Sequence, residues 1–157
     1  LSAAGCYGLL TLVFRGIGRH GGPSGELTRV RLTLGERQVE LTGLVDTGNT
    51  LTDPATGRPV LVAEADSLEE LLPPGLRPGP AELRDPAGVL ERLEDGPWRL
   101  RFRLLPYRAV GVERGLLLAL RMDRVQVGEE DRGPMLAALS PTPVSDGGAY
   151  RVLVGAE

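Results

Sequence analysis

One short stretch of this chain sets residues able to do chemistry in a telling order: Leu44-Val45-Asp46-Thr47-Gly48-Asn49. Two apolar residues lead into a carboxylate, a hydroxyl and a glycine. That order suits a carboxylate presented rigidly at the end of a buried strand. Glycine lets the backbone turn away without a Cβ clash, and the threonine hydroxyl can bond nearby backbone and hold the loop. A carboxylate fixed in this way is equipped for general acid–base work on a bound water. The plainer reading is a strand followed by an ordinary Asp/Gly turn, which the triplet alone leaves open.

The loop resembles the signature loop of aspartic peptidases, which hydrolyse peptide bonds with two carboxylates that share one proton. Like charges that close cannot both ionise, so one member takes a proton from water while the other polarises the scissile carbonyl. This chain has one Asp-Thr-Gly, and Asp146-Gly147-Gly148 lacks both the hydroxyl residue and an apolar approach. A shared dyad therefore requires a second copy of the chain, with both Asp46 side chains on a two-fold axis. Two rivals are weak. The spacing from Asp46 to Thr50-Leu51-Thr52 is that of phosphoaspartyl transferases, but those need a lysine, and this chain has none. A calcium loop would want acidic or amide groups at alternate positions, and Gly48 occupies one of them.

Composition narrows the field further. The 157 residues make one domain of ordinary size, with 41% hydrophobic and 25% charged residues, so wholesale disorder is excluded. Net charge of −3 argues against a nucleic-acid partner. The 18 basic residues are all arginine, which removes Schiff-base and P-loop chemistry. One cysteine, Cys6, permits no internal disulfide, and a lone His20 cannot build a zinc site. No metal or other cofactor is expected.

The elements that must position Asp46 follow from periodicity. Residues Leu1 to Phe14 carry no charge and as a helix would extend about 21 Å, short of the roughly 30 Å hydrocarbon core. They are expected to be the end of a membrane-spanning segment, with Arg15, Arg19 and His20 on the cytoplasmic side; the alternative is a buried helix or strand of the domain itself. Gly21 to Gly25 is a linker by composition, so residues 1–25 form the anchor end and 26–157 the globular domain. Leu27 to Leu34 alternates, with Thr28, Val30, Leu32 and Leu34 on one face and Arg29 and Arg31 on the other. A turn at Gly35–Gln38 and an apolar face of Val39, Leu41 and Val45 then make a hairpin running into Asp46. Pro59–Ala63 reads as a short buried strand. Ser67-Leu68-Glu69-Glu70 reads as a capping box opening a helix that Pro73-Pro74 stops, and Asp85-Pro86 opens a second helix through about Leu93. Trp98, Leu100, Phe102 and Leu104 alternate with Arg99, Arg101 and Arg103, predicting a strand whose arginine face is either solvated or the seat of an acidic partner. Gly115–Leu120, Asp123–Val127, Met135–Leu139 and Tyr150–Val154 complete about eight strands beside two short helices, a mostly β fold.

Two blocks of the chain resemble a known family. Gly43 to Asn49, continuing through Leu51-Thr52-Asp53-Pro54 and Thr56-Gly57-Arg58-Pro59-Val60, is similar to the catalytic region of the sigma-E factor-processing peptidases of endospore-forming bacteria. Pro106-Tyr107-Arg108-Ala109-Val110-Gly111, then Gly115-Leu116-Leu117-Leu118-Ala119 and Asp123, resembles that family's second block. The resemblance implies a retropepsin-like half-barrel, active as a homodimer, on the mother-cell cytoplasmic side of the sporulation septum membrane. It implies the sigma-E precursor as substrate and a forespore signalling protein as activator. Carried over by residue, Asp46 is the catalytic aspartate, and Thr47, Gly48 and Asn49 shape its loop. Retropepsin-like enzymes support that loop with an apolar-apolar-Gly strand, for which Leu136-Ala137-Ala138 is the expected counterpart. The turn from Tyr107 to Arg114, with Tyr107, Arg108 and Gly111, is the expected flap over the substrate. The alternative from another class is a non-catalytic binding module on the same fold, using the Arg99, Arg101 and Arg103 face.

Overall fold

The structure, a computed structural model, describes residues 25–46, 51–93, 96–109 and 112–155. The expected membrane segment and the loop residues Thr47, Gly48 and Asn49 lie outside the described residues, as do Gly111 and the side chain of Arg108. No described helix is long and apolar enough to cross a membrane.

Seven strands form one continuous sheet: β1 (Gly25–Leu34), β2 (Arg37–Asp46), β3 (Leu61–Glu64), β4 (Phe102–Ala109), β5 (Val112–Val127), β6 (Glu130–Ser140) and β7 (Val152–Gly155). Their spatial order is β1-β2-β7-β3-β6-β5-β4, and β1 also pairs with β5. That last pairing, Val30 with Val127 through Thr33 with Arg124, closes six strands into a barrel and leaves β4 outside it as the first strand of a hairpin with β5. Closure removes the open sheet edges that six short strands would otherwise expose.

The predicted β1–β2 hairpin forms as the alternation requires. Val30, Leu32 and Leu34 are buried, while Arg29 and Arg31 stand outside and both bond Glu40 across the strand pair. Their guanidinium groups, Arg29 first, hold the Glu40 carboxyl below the usual carboxylate range. The turn is only Gly35-Glu36, with Gly35 at φ +62°, the left-handed region that a side chain would disfavour.

β5 runs for 16 residues, about 50 Å at the usual rise. It therefore joins the two strands expected at Gly115–Leu120 and Asp123–Val127 into one. Its first part pairs with β4 and its last part with β1, and register irregularities after Met122 bend it between the two tasks. Alternation along β5 feeds two cores. Leu118 and Leu120 enter a large core with Val30, Leu32, Leu61, Phe102 and Val152, whereas Leu117 and Ala119 enter a smaller one with Val60, Val62, Leu105, Ala138 and Leu153. The expectation that this apolar run is buried on both sides is thus met, with Leu116 the exposed exception.

The two α-helices are short: α1 (Pro80–Leu83) and α2 (Pro86–Arg92). Helix α2 starts as its sequence dictates, with the Asp85 carboxylate accepting from the Gly88 N–H at 3.3 Å and Pro86 in the first turn. The helix expected after Ser67 is instead a 3₁₀ turn, Ala65–Leu71, in which Ser67 donates back to the Glu64 carbonyl at 2.6 Å and forms no capping box. The three-residue period aligns Leu68 with Leu71, and both are fully buried.

The Trp98–Leu104 alternation is not one strand. Gly96-Pro97 launches a 3₁₀ turn over Pro97–Arg101, and β4 begins only at Phe102. Leu100, which a strand would bury beside Phe102, is 85% exposed. The expected arginine face is consequently broken up. Arg99 donates to the Phe102 carbonyl at 3.4 Å, Arg101 pairs with Asp123 at 2.8 Å over the Trp98 ring, and Arg103 lies 3.7 Å from Asp53.

Candidate active site

Asp46 is the final residue of β2, and its side chain is 1% exposed. Its neighbours in register are both glycines: Gly25 on antiparallel β1 and Gly155 on parallel β7. A strand-end carboxylate thus sits with no cross-strand side chain on either flank. At Gly25 the glycine is a steric need, because a Cβ there would fall 2.6 Å from both Leu44 Cδ1 and the Val45 carbonyl oxygen. One turn of the alternation earlier, Leu44 is flanked in the same way by Leu27 and Leu153. Leu44 and Asp46 share a strand face, and Leu44 packs against the smaller core. That core therefore lies under the face on which Asp46 opens.

The support strand differs from the expected one. Leu136-Ala137-Ala138 belongs to β6, where Ala137 and Ala138 pair with Leu61 and Val62 of β3, away from β2. The strand beside Asp46 is β7, whose Leu153-Val154-Gly155 supplies the apolar-apolar-Gly string with its glycine intact. Gly25 and Gly155 are the site residues that sequence reasoning missed. The first lay in a stretch assigned to a linker. The second had its signal in plain view.

The expected flap region is the β4–β5 hairpin, paired from Phe102 with Leu120 to Ala109 with Val112. Tyr107, Leu105 and Arg103 alternate along one face of β4; Gly115, Leu117, Ala119 and Arg121 do so along β5. Leu105, Leu117 and Ala119 belong to the smaller core, and Tyr107 packs against it, so this face of the hairpin and the face bearing Asp46 share one apolar floor. Tyr107 lies opposite Gly115, and its ring covers that glycine so closely that a Cβ would sit 2.2 Å from Tyr107 Cζ. The structure thus places Tyr107 on the floor shared with Asp46.

A buried carboxylate closing the second strand of a small barrel, with a hairpin rising from the same floor, defines the chain as a β-barrel protein with a strand-end acidic site. The chain belongs to the sporulation factor SpoIIGA family, whose profile matches residues 1–157. Over 133 residues it is 35% identical to a Bacillus thuringiensis subsp. kurstaki protein named as a candidate sporulation sigma factor-processing peptidase, covering 82% of this chain and 81% of that one. It is 36% and 31% identical to the sporulation sigma-E factor-processing peptidases of Priestia megaterium and Bacillus subtilis, covering 82% of this chain in each case. The chain spans 43% of the length of these last two relatives. No solved structure matches it.

Proposed function

We propose that this chain is the catalytic domain of an aspartic endopeptidase that trims the sigma-E precursor, with Asp46 supplied by each of two copies. The observation that carries the reading is the setting of Asp46: a single Asp-Thr-Gly carboxylate, buried at a strand end between two glycines. In the dyad, the ionised carboxylate takes a proton from a water held between the two subunits. The water oxygen adds to the scissile carbonyl carbon, whose oxygen the protonated partner polarises. Collapse of the tetrahedral species breaks the C–N bond, and the departing amine leaves with a proton from the dyad.

A second copy is favoured by what lies beside Asp46. Leu27, next to Leu44 on the same face, is 57% exposed, an apolar residue that a two-fold partner would cover. Thr47, Gly48 and Asn49 hold the loop in this proposal, and the hairpin carrying Tyr107, Arg108 and Gly111 closes on an extended peptide. The membrane anchor, the septal location and the forespore activator belong to the same proposal. A membrane anchor concentrates the domain, so the soluble part need not dimerise tightly. The binding-module alternative needs a shared face of Arg99, Arg101 and Arg103, and the 3₁₀ turn over Pro97–Arg101 breaks that face before β4 begins.

The test is trimming of the sigma-E precursor by the full-length membrane protein with its activator, comparing native Asp46 with Asp46→Asn. Loss of trimming with the asparagine form, at unchanged protein level, is the expected result. Equal trimming by both forms would return Asp46 to the role of a turn residue.

A further inference from the structure

Seven residues beyond Asp46, at Asp53, the chain builds a second polar feature beside the smaller core. A cavity of about 150 Å³ is lined by Asp53, Arg58, Arg103, Arg121, Met135 and Leu136, among others. It is well below the several hundred Å³ of a small-molecule pocket and suits a single side chain. Leu136 belongs to the smaller core, and Arg103 and Arg121 continue the hairpin faces that begin at Tyr107 and Gly115. The cavity and the face of β2 that carries Leu44 and Asp46 therefore border the same core.

The charges in it do not balance. Asp53 is largely committed to its own turn: Oδ1 accepts from the Ala55 N–H at 2.9 Å and Oδ2 from the Thr56 hydroxyl at 3.2 Å. It lies 3.7 Å from Arg103, a loose pairing that leaves the guanidinium half in solvent. Arg58 donates to the Pro134 and Arg132 carbonyls at 2.9 and 3.0 Å, which fixes its position without cancelling its charge. Arg121 faces the rim, exposed, and the nearby Asp123 is already bonded by the Gly35 N–H and by Arg101. Three guanidinium groups around one occupied carboxylate leave the cavity with an excess of positive charge over an apolar base formed by Met135 and Leu136.

We propose that this cavity is a specificity subsite for an acidic side chain of the substrate, with Arg121 and Arg103 grasping the carboxylate and Met135 and Leu136 receiving its methylenes. Guanidinium groups suit a carboxylate because their N–H pairs match its two oxygens. An extended peptide crossing the floor from Asp46 towards the hairpin base would present one acidic residue there, on the same side of the chain as every second residue. The inference rests on the peptidase reading, since it needs an extended peptide on the floor.

The experiment uses full-length protein in its membrane and precursor substrates in which each Asp or Glu near the cleavage point is changed, one at a time, to its amide. One such change should lower processing by about five- to tenfold with the native protein. Arg121→Gln should erase that preference, Arg121→Lys should keep part of it, and Arg121→Glu should favour a basic residue at the same position. An acid-to-amide ratio unchanged by both Arg121→Gln and Arg103→Gln overturns the subsite. Binding of the same peptides to the Asp46→Asn protein, followed by fluorescence anisotropy, reads the cavity without cleavage. If Asp46→Asn still trims, the peptidase reading fails on its own, while the anisotropy still judges the cavity. Arg121-dependent competition by millimolar inorganic phosphate, with no acid preference in any peptide, would make this a free-anion site and overturn the proposal.

Discussion

Gly43 lies three residues before Asp46 in the strand that delivers it, with β1 on one side and β7 on the other. A Cβ at this position would fall 2.5 Å from Val30 Cγ2 and 3.4 Å from the Val152 carbonyl oxygen. Ordinary carbon contacts sit near 3.5–4.0 Å, so Gly43→Ala demands a shift of about 1 Å from a residue with no exposure. Val30 cannot swing aside cheaply, because a β-branched side chain is stiff at χ1. Overpacking of this kind costs about 1–3 kcal/mol, and at this chain length a loss near 2 kcal/mol lowers Tm by about 4–8 °C. Val30→Ala removes the obstructing methyl and by itself costs about 2 kcal/mol in lost burial and cavity. Within that background Gly43→Ala should be nearly neutral, since alanine is entropically easier to fix in a strand than glycine. The four proteins of the cycle, unfolded in urea, should show a coupling of about 1–3 kcal/mol. Additivity within about 0.5 kcal/mol would refute the steric account of this glycine.

Three further outcomes follow from the same geometry. Gly115→Ala should dislodge the Tyr107 ring and lower substrate processing, and the Gly115→Ala/Tyr107→Ala double variant should be no worse than Tyr107→Ala alone; independent losses would show that the ring does not depend on Gly115. Leu153→Ala, at a buried position between Leu44 and Val62 in register, should cost about 2–5 kcal/mol, and a loss below 1 kcal/mol in urea would contradict the placement of β7 between β2 and β3. The Asp123 carboxyl is held below the usual carboxylate range by the Gly35 N–H and then Arg101, so its contribution is complete above that range and fades as pH falls through it. Asp123→Asn should therefore destabilise the protein by about 0.5–1 kcal/mol at neutral pH, a figure discounted for solvent screening, with the difference from native vanishing in acid.

The parts of the fold that could be read beforehand are those set by neighbours in the chain. The β1–β2 hairpin follows from a strict period of two and Gly35, and α2 follows from Asp85-Pro86. The failures share one cause, dependence on distant partners. Leu100 and Trp98 have the spacing of a strand, but Pro97 starts a 3₁₀ turn there, and pairing with β5 begins only at Phe102. The support strand is not legible in the sequence because Leu136-Ala137-Ala138 and Leu153-Val154-Gly155 are both apolar runs, and only the pairing of β7 with β2 distinguishes them. Period and composition carry no record of which strand inserts between which. Gly25 is hidden for a related reason: in a glycine-rich stretch, the glycine that pairs with Asp46 looks like the rest.

The insertion of β7 between β2 and β3 also has a temporal consequence. During synthesis both of those strands leave the ribosome long before their shared neighbour exists. Until β7 arrives, β2 has one free edge at the residues that lead to Asp46, and the barrel cannot be complete. A four-residue strand is thus a late-arriving keystone: Asp46 gains its neighbour Gly155 only once residues 152–155 have emerged.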